Sequence, residues 1–362
     1  MSVVPRPGRT LACMRATVLH AARDIRLDEV PDPVIAVPSD AIVRVVAACV
    51  CGSDLWPYRG ITPTEKPKRI GHEFVGVVEE KGRDVTGIAV GDTVIAPFYH
   101  CDGSCVNCRN GVSTSCVEGG WWGADDRDGH FADGGQGEYV RVPHAAGTLT
   151  VVPGPVDAAL IPSLLTLSDV FGTGHHAAVS AGVRPGATVA VVGDGAVGLS
   201  GVLAAVRLGA SRVVAMSRHE DRQRLAREFG ATDVVAERGQ EGIDRLADMF
   251  DGIGPDCVLE CVGTKESMDQ ALRSARPGGQ VGFVGVPNGG PELPVRTMFA
   301  TNVGVRGGVA PVRGYVAELL PEVLDGSLTP GKVFTRELPL DDIAEAYRLM
   351  DEREEIKVLV RP

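Results

Sequence analysis

The sequence predicts an α/β protein of two domains, one rich in β-strand and one built on a doubly wound parallel sheet. Between residues 14 and about 150, short apolar stretches are separated by turn residues such as Gly82, Gly87, Gly91 and Pro97, the pattern of an antiparallel barrel or sandwich. From 187 to 287 the pattern changes to strand alternating with helix, which builds a parallel sheet. Inside that region Thr188-Val189-Ala190-Val191-Val192 runs directly into Gly193-Asp194-Gly195-Ala196-Val197-Gly198, a glycine loop between strand and helix. A chain of 362 residues is long enough for two such cores.

The first domain opens with Met14-Arg15-Ala16-Thr17-Val18-Leu19, read as a strand, which leaves residues 1–13 as a disordered leader. Further strands are read at 41–46, 74–78, 92–96 and 138–142. Between them lie Cys51-Gly52-Ser53-Asp54 and Gly71-His72-Glu73. A thiol and an imidazole, each beside a carboxylate, are a start for a zinc site, because zinc takes sulfur and nitrogen and a catalytic site keeps one position open. Asp54 and Glu73 suit groups behind the ligands. Taken alone, the pair also fits a buried small hydrophobe and a satisfied core histidine.

Cys101, Cys105, Cys108 and Cys116 follow within 16 residues. Four thiolates in one lobe close a tetrahedral site with no open position, which makes that zinc structural. Asp102, not Cys101, lies three residues before Cys105, so either can supply the first ligand. The nine cysteines are odd in number and clustered, which argues for thiols and metal ligands in a reducing cytoplasm. Trp121 and Trp122 head a polar glycine-rich stretch, where they either line a pocket mouth or plug the loop from beneath.

After Pro153, residues 163–171 read as an apolar helix carrying Asp169. A carboxylate on a core face needs a partner, and a metal is one; solvent exposure is the other reading. In the glycine loop Gly193 makes the turn, Gly195 admits the pyrophosphate and Gly198 lets helix and strand pack closely. Phosphate then binds at the helix N-terminus. No acid ends the second strand, 212–216, where Ser217-Arg218-His219 stands instead. A carboxylate there would hold a ribose diol and repel a 2′-phosphate, so its replacement favours NADP, with NAD still possible. Arg218 as a plain surface arginine is the alternative. The tail holds a glycine-spaced strand at 302–309, an amphipathic helix at 341–351 and a closing strand at 356–360. It is read as returning to the first domain, which gives domains of 14–162 with 302–362, and 163–301.

A net charge of −11 with no basic cluster argues against nucleic acid or an anionic membrane surface as partner. No apolar run reaches the length of a membrane span.

In this order the motifs resemble the zinc-dependent alcohol dehydrogenases of the medium-chain dehydrogenase/reductase superfamily, over residue 14 to the end. The resemblance implies a GroES-like catalytic domain and a Rossmann domain, with two zinc ions per chain and a homodimer or homotetramer. It implies Cys51, His72 and Asp169 as catalytic zinc ligands and Ser53 as the group that receives the alcohol proton. Asp54 would stand behind the histidine and Glu73 near the metal. Thr173, Val197, Val284 and Val286 would contact the cofactor, and Lys357 would reach its pyrophosphate. Trp56, Tyr58, Trp121 and Trp122 would line the substrate pocket. Trp56 stands where many members place a histidine that ends the proton relay. The implied reaction passes a hydride between an alcohol, or its aldehyde or ketone, and a nicotinamide. Zinc-free quinone or enoyl reductases, and non-catalytic nucleotide-binding proteins, use the same scaffold.

Overall fold

The computed structural model describes residues 13–287 and 293–362. The chain forms two compact units: residues up to Ser168 together with Arg313–Pro362, and Asp169–Val312. Most of the expected leader lies outside the described residues. Cys13, its last member, instead begins the first strand, Cys13–Ala21, because its backbone pairs with Pro31.

The first unit centres on the strand Ala41–Cys49 in a seven-stranded sheet. Its β-branched and small residues suit a strand buried on both faces. It pairs antiparallel with Phe74–Lys81, Tyr139–Val142 and Val358–Arg361. Irregularities between Ile42 and Val43 and between Val45 and Ala47 bend it, as bulges do. Val43, Val45, Val78, Val94, Val140 and Tyr347 fill the core beneath.

The second unit holds a six-stranded parallel sheet, in the order Asp233–Val235, Arg212–Met216, Thr188–Val192, Cys257–Glu260, Gln280–Phe283, Gly304–Gly307. Strand order reverses beside Thr188–Val192, and in such sheets ligands bind outside the carboxyl ends at that point. Val214, Leu246, Val258, Met268 and Val281 belong to its core.

Two expectations are corrected. The glycine-spaced strand does not join the first unit. Gly304–Gly307 extends the parallel sheet, with Gln280 opposite Gly304 and Phe283 opposite Gly307. A Cβ on Gly307 would lie 2.0 Å from the Phe283 carbonyl oxygen, so the glycine is what close pairing requires. The units therefore meet in sequence at 168/169 and 312/313, not at 162/163 and 301/302. The helix expected over 163–171 is two helices, Ile161–Thr166 and Val170–Ser180. Thr166 Oγ1 donates to the Ser163 carbonyl and Ser168 Oγ to the Leu165 carbonyl, each at 2.6 Å. Such back-bonds compete with helical ones. Asp169 sits at the break, with φ −156° and ψ −80°. Among the described residues no helix is long and apolar enough to cross a membrane.

Candidate metal centre and nucleotide-binding loop

Pairing of Ala48 with Phe74 brings two strand ends together. Cys51 follows one end and His72 and Glu73 precede the other. Asp169 is the junction residue, next to Ser168, whose carbonyl accepts from Phe98 N at 3.0 Å. One ligand atom from each of Cys51, His72, Glu73 and Asp169 lies within 4.8 Å of the others. Sulfur, imidazole nitrogen and carboxylate oxygen are a donor set that fits zinc.

Asp54, 4 % exposed, organises this group. Its Oδ1 is 3.2 Å from His72 Nδ1, and its Oδ2 accepts from Cys51 N at 3.0 Å and Gln136 Nε2 at 3.2 Å. Gln136 Nε2 also donates to the Cys49 carbonyl at 3.0 Å, and Tyr347 OH donates to Gln136 Oε1 at 3.0 Å. Burial pushes the Tyr347 hydroxyl well above its usual pKa, so it stays a donor. Gly71, at φ 103°, lets Gln136 approach: a Cβ there would lie 2.5 Å from Gln136 Cγ. With Nδ1 facing Asp54, His72 presents Nε2, 4.0 Å from Glu73 Oε1, as its ligand nitrogen. Ser53 Oγ donates to Cys51 Sγ at 3.3 Å. Thr173 Oγ1 donates to Asp169 Oδ1 at 2.6 Å, so the threonine expected at the cofactor also positions the acid.

Lys357 is corrected. It is 1 % exposed, and its Nζ donates to Glu73 Oε1 at 2.7 Å and to the Val50 carbonyl at 3.2 Å. Burial alone would lower its pKa, but Cys49, Glu73 and Cys51 raise it well above the usual value. The buried ammonium is bonded to Glu73 and Val50 inside the first unit and does not reach out as a pyrophosphate contact.

In the cysteine lobe it is Asp102, and not Cys101, that lies with the other three cysteines. Ligand atoms of Asp102, Cys105, Cys108 and Cys116 lie within 4.8 Å of one another, and Cys101 is outside this group. Cys101 N and O both bond Thr148 Oγ1, at 3.0 and 3.1 Å, and its thiol donates to the Gly147 carbonyl at 3.4 Å. These bonds turn it inward, and burial pushes its pKa up to about 11. Burial works against ionising Asp102 too, but the N–H groups of Cys105 and Ser104 hold it well below the usual carboxylate range. The N–H groups of Cys108 and Val117 lower the pKa of Cys105, favouring the thiolate that binds metal.

Two of the expected pocket aromatics are core. Trp122 is 5 % exposed, donates Nε1 to the Pro97 carbonyl at 2.8 Å and packs 5.1 Å from Phe74. Tyr58 is buried 5.3 Å from Tyr347. Both bury an amphipathic ring whose area the core needs. Trp56 is half-buried, and Trp121 is 52 % exposed, stacked 5.9 Å from Phe98.

In the second unit Gly193 has φ 120°, and a Cβ on Gly198 would lie 2.0 Å from the Gly193 carbonyl oxygen. The helix Ala196–Arg207 therefore starts tightly against the strand end, with Gly195 as its N-cap residue. Val197 is half-buried; Val284 is buried and Val286 is exposed, both just past the strand Gln280–Phe283. Ser217 is 1 % exposed, while Arg218 and His219 are exposed. Two residues missed in the sequence stand here. Asp194 Oδ2 accepts from Ser217 Oγ at 2.8 Å, and Arg222 Nη1 lies 3.4 Å from Asp194 Oδ1. The signal for Asp194 was its place inside the glycine loop; Arg222, on the helix Glu220–Glu228, carried none.

Known proteins match this arrangement along nearly the whole chain. Residues 37–154 match the alcohol dehydrogenase GroES-like domain and residues 196–325 the zinc-binding dehydrogenase family. An alcohol dehydrogenase of Cupriavidus necator is 31 % identical over 97 % of this chain and 99 % of its own. Zinc-type alcohol dehydrogenase B of Aspergillus flavus is 32 % identical over 96 % of this chain and 81 % of its own. Among solved structures, an alcohol dehydrogenase from Thermus sp. ATN1 is 34 % identical with a TM-score of 0.88, covering 96 % of this chain and 99 % of that one. A zinc-binding dehydrogenase of Sinorhizobium meliloti 1021, solved bound to NADP, is 29 % identical with a TM-score of 0.82, covering 97 % and 100 %. The chain belongs to the zinc-dependent alcohol dehydrogenases of the medium-chain dehydrogenase/reductase superfamily, and is an oxidoreductase that uses zinc and a nicotinamide cofactor.

Proposed function

We propose that the chain holds two zinc ions and interconverts a small alcohol and its aldehyde or ketone, with NADP preferred over NAD. The carrying observation is the convergence of Cys51, His72, Glu73 and Asp169 with His72 Nδ1 turned to Asp54. In this reading Cys51, His72 and Asp169 hold the catalytic zinc, and Asp102, Cys105, Cys108 and Cys116 hold the structural one. When bound, zinc supplies Lewis acidity to the substrate oxygen and the nicotinamide supplies the hydride acceptor. Ser53, beside Cys51, takes the substrate hydroxyl proton and passes it to water, since Trp56 offers no proton acceptor. Asp54 fixes the His72 ring, and Lys357 keeps the Glu73 charge compensated. Gly193, Gly195 and Gly198 admit the dinucleotide phosphates to the N-terminus of the helix Ala196–Arg207. The exposed Arg218 is available to a 2′-phosphate, and the NADP-bound structural relative is consistent with that preference. A homodimer or homotetramer is proposed, supported by the edge strand Gly304–Gly307 and by Phe299, 85 % exposed.

Metal analysis with steady-state kinetics tests this. About two zinc ions per chain are expected, with a higher kcat/KM for NADP than for NAD. Cys51→Ala should lose one zinc and turnover while keeping nucleotide binding. Cys108→Ala should lose the other zinc and destabilise the fold. Normal turnover in Cys51→Ala would refute the catalytic assignment, and a wild type that prefers NAD would refute the cofactor preference.

A further inference from the structure

The strand Arg212–Met216 carries no acid after it, yet an acid stands at its end. Asp194, from the glycine loop, accepts from Ser217 Oγ at 2.8 Å through Oδ2. Arg222 Nη1 approaches the same residue, 3.3 Å from its carbonyl oxygen and 3.4 Å from Oδ1. The two side chains are 12 % and 13 % exposed, so both are largely sheltered but reachable. Ser217, at 1 % exposed, is held between Asp194 and Gln223, whose Nε2 donates to its carbonyl at 2.8 Å.

In a doubly wound sheet the adenosine ribose lies over the carboxyl end of this second strand. A carboxylate there accepts from a free ribose diol and repels a 2′-phosphate, and a guanidinium does the reverse. Both groups are present and facing each other. Their separation is longer than the 2.7–2.9 Å of a strong charge-assisted bond, so Arg222 can change partner at small cost.

We infer that Asp194 and Arg222 act as an opposed pair that sets cofactor choice. Asp194 holds the ribose diol of NAD, and Arg222 leaves Asp194 for the 2′-phosphate of NADP. The site then accepts both cofactors, and discrimination resides in this pair as well as in Arg218. The inference rests on the glycine loop being a nicotinamide dinucleotide site.

The test is calorimetric titration of the full-length, zinc-loaded protein with adenosine 5′-monophosphate and adenosine 2′,5′-bisphosphate, which differ only at the 2′ position. Wild type should bind both. Asp194→Asn should shift the affinity ratio toward the bisphosphate by about tenfold, and Arg222→Gln should shift it by about tenfold the other way. Unchanged zinc content and melting temperature certify each variant as folded, and either variant alone suffices if the other fails. Ratios that stay within about twofold of wild type, or that move in one direction for both variants, overturn the pair. Should wild type bind neither nucleotide, the reading of the loop fails and the pair falls with it.

Discussion

Asp54 and His100 show how a single buried side chain can set a measurable property. Asp54 holds His72 Nδ1, Cys51 N and Gln136 Nε2 at once. Asp54→Asn keeps the shape but removes the charge that fixes the histidine tautomer. Zinc affinity at that site should fall about 10–100-fold in chelator competition, with the zinc of the cysteine lobe retained. Equal loss of both ions would mean that Asp54 serves the fold and not the ligand. His100 is 1 % exposed, and burial, with His144 adding to it, lowers its pKa from 6.5 to about 4. Its neutral form is therefore favoured in the folded chain. No penalty exists above pH 6.5, and stability falls between 6.5 and 4, because only the unfolded chain takes up the proton. The stability difference between wild type and His100→Gln should change steadily over that interval, by about 1.4 kcal/mol per pH unit at most. A pH-independent difference in chemical denaturation would remove His100 as the source.

At the scale of elements, short connections do the positioning. The turn before Phe74–Lys81 carries His72, and its geometry depends on Gly71 at φ 103° against Gln136. Gly71→Ala meets both a disfavoured backbone conformation and a 2.5 Å contact. It should cost about 1–3 kcal/mol and loosen the Tyr347–Gln136–Asp54 chain, so turnover should fall along with stability. Unfolding in urea and kcat measured on the same sample decide this; unchanged values in both would show that the turn can relax. The helix break at Asp169 belongs to the same scale. Two hydroxyl back-bonds end one helix and leave the acid at the head of the next, where a continuous helix would have carried it on its flank.

At the scale of the whole molecule, each unit has its own core. The cysteine lobe belongs to the first unit, and the glycine loop belongs to the second. Ligands that bind only the folded form stabilise what they bind. Loss of the cysteine-lobe zinc, as in Cys108→Ala, should lower the melting temperature of the first unit and leave that of the second nearly unchanged. Saturating 5′-monophosphate, at about 100 times its Kd, should stabilise the second by about 2.7 kcal/mol. Differential scanning calorimetry of the full chain should resolve two transitions that respond separately. One transition that shifts as a whole with either ligand would show that the units unfold together.

The sequence by itself determined the two kinds of sheet, the glycine loop and the neighbourhoods of both clusters of candidate metal ligands. These depend on local sequence pattern and on short spacings, and the unbroken apolar run from Val189 to Val192 or the spacing of Cys105 and Cys108 is legible without neighbours. Only the tertiary structure decided partners. It turned Cys101 toward Thr148 and put Asp102 among the cysteines, buried Lys357 against Glu73, and moved Trp122 and Tyr58 into the core. It also brought Asp194 to a strand end that lacks an acid of its own, and carried 304–307 into the parallel sheet. The physical reason is the same in each case. A hydrogen bond, an ion pair or a buried ring is satisfied through space by whichever group the packed chain brings near, and residues hundreds of positions apart, such as Glu73 and Lys357, leave no local trace of that choice.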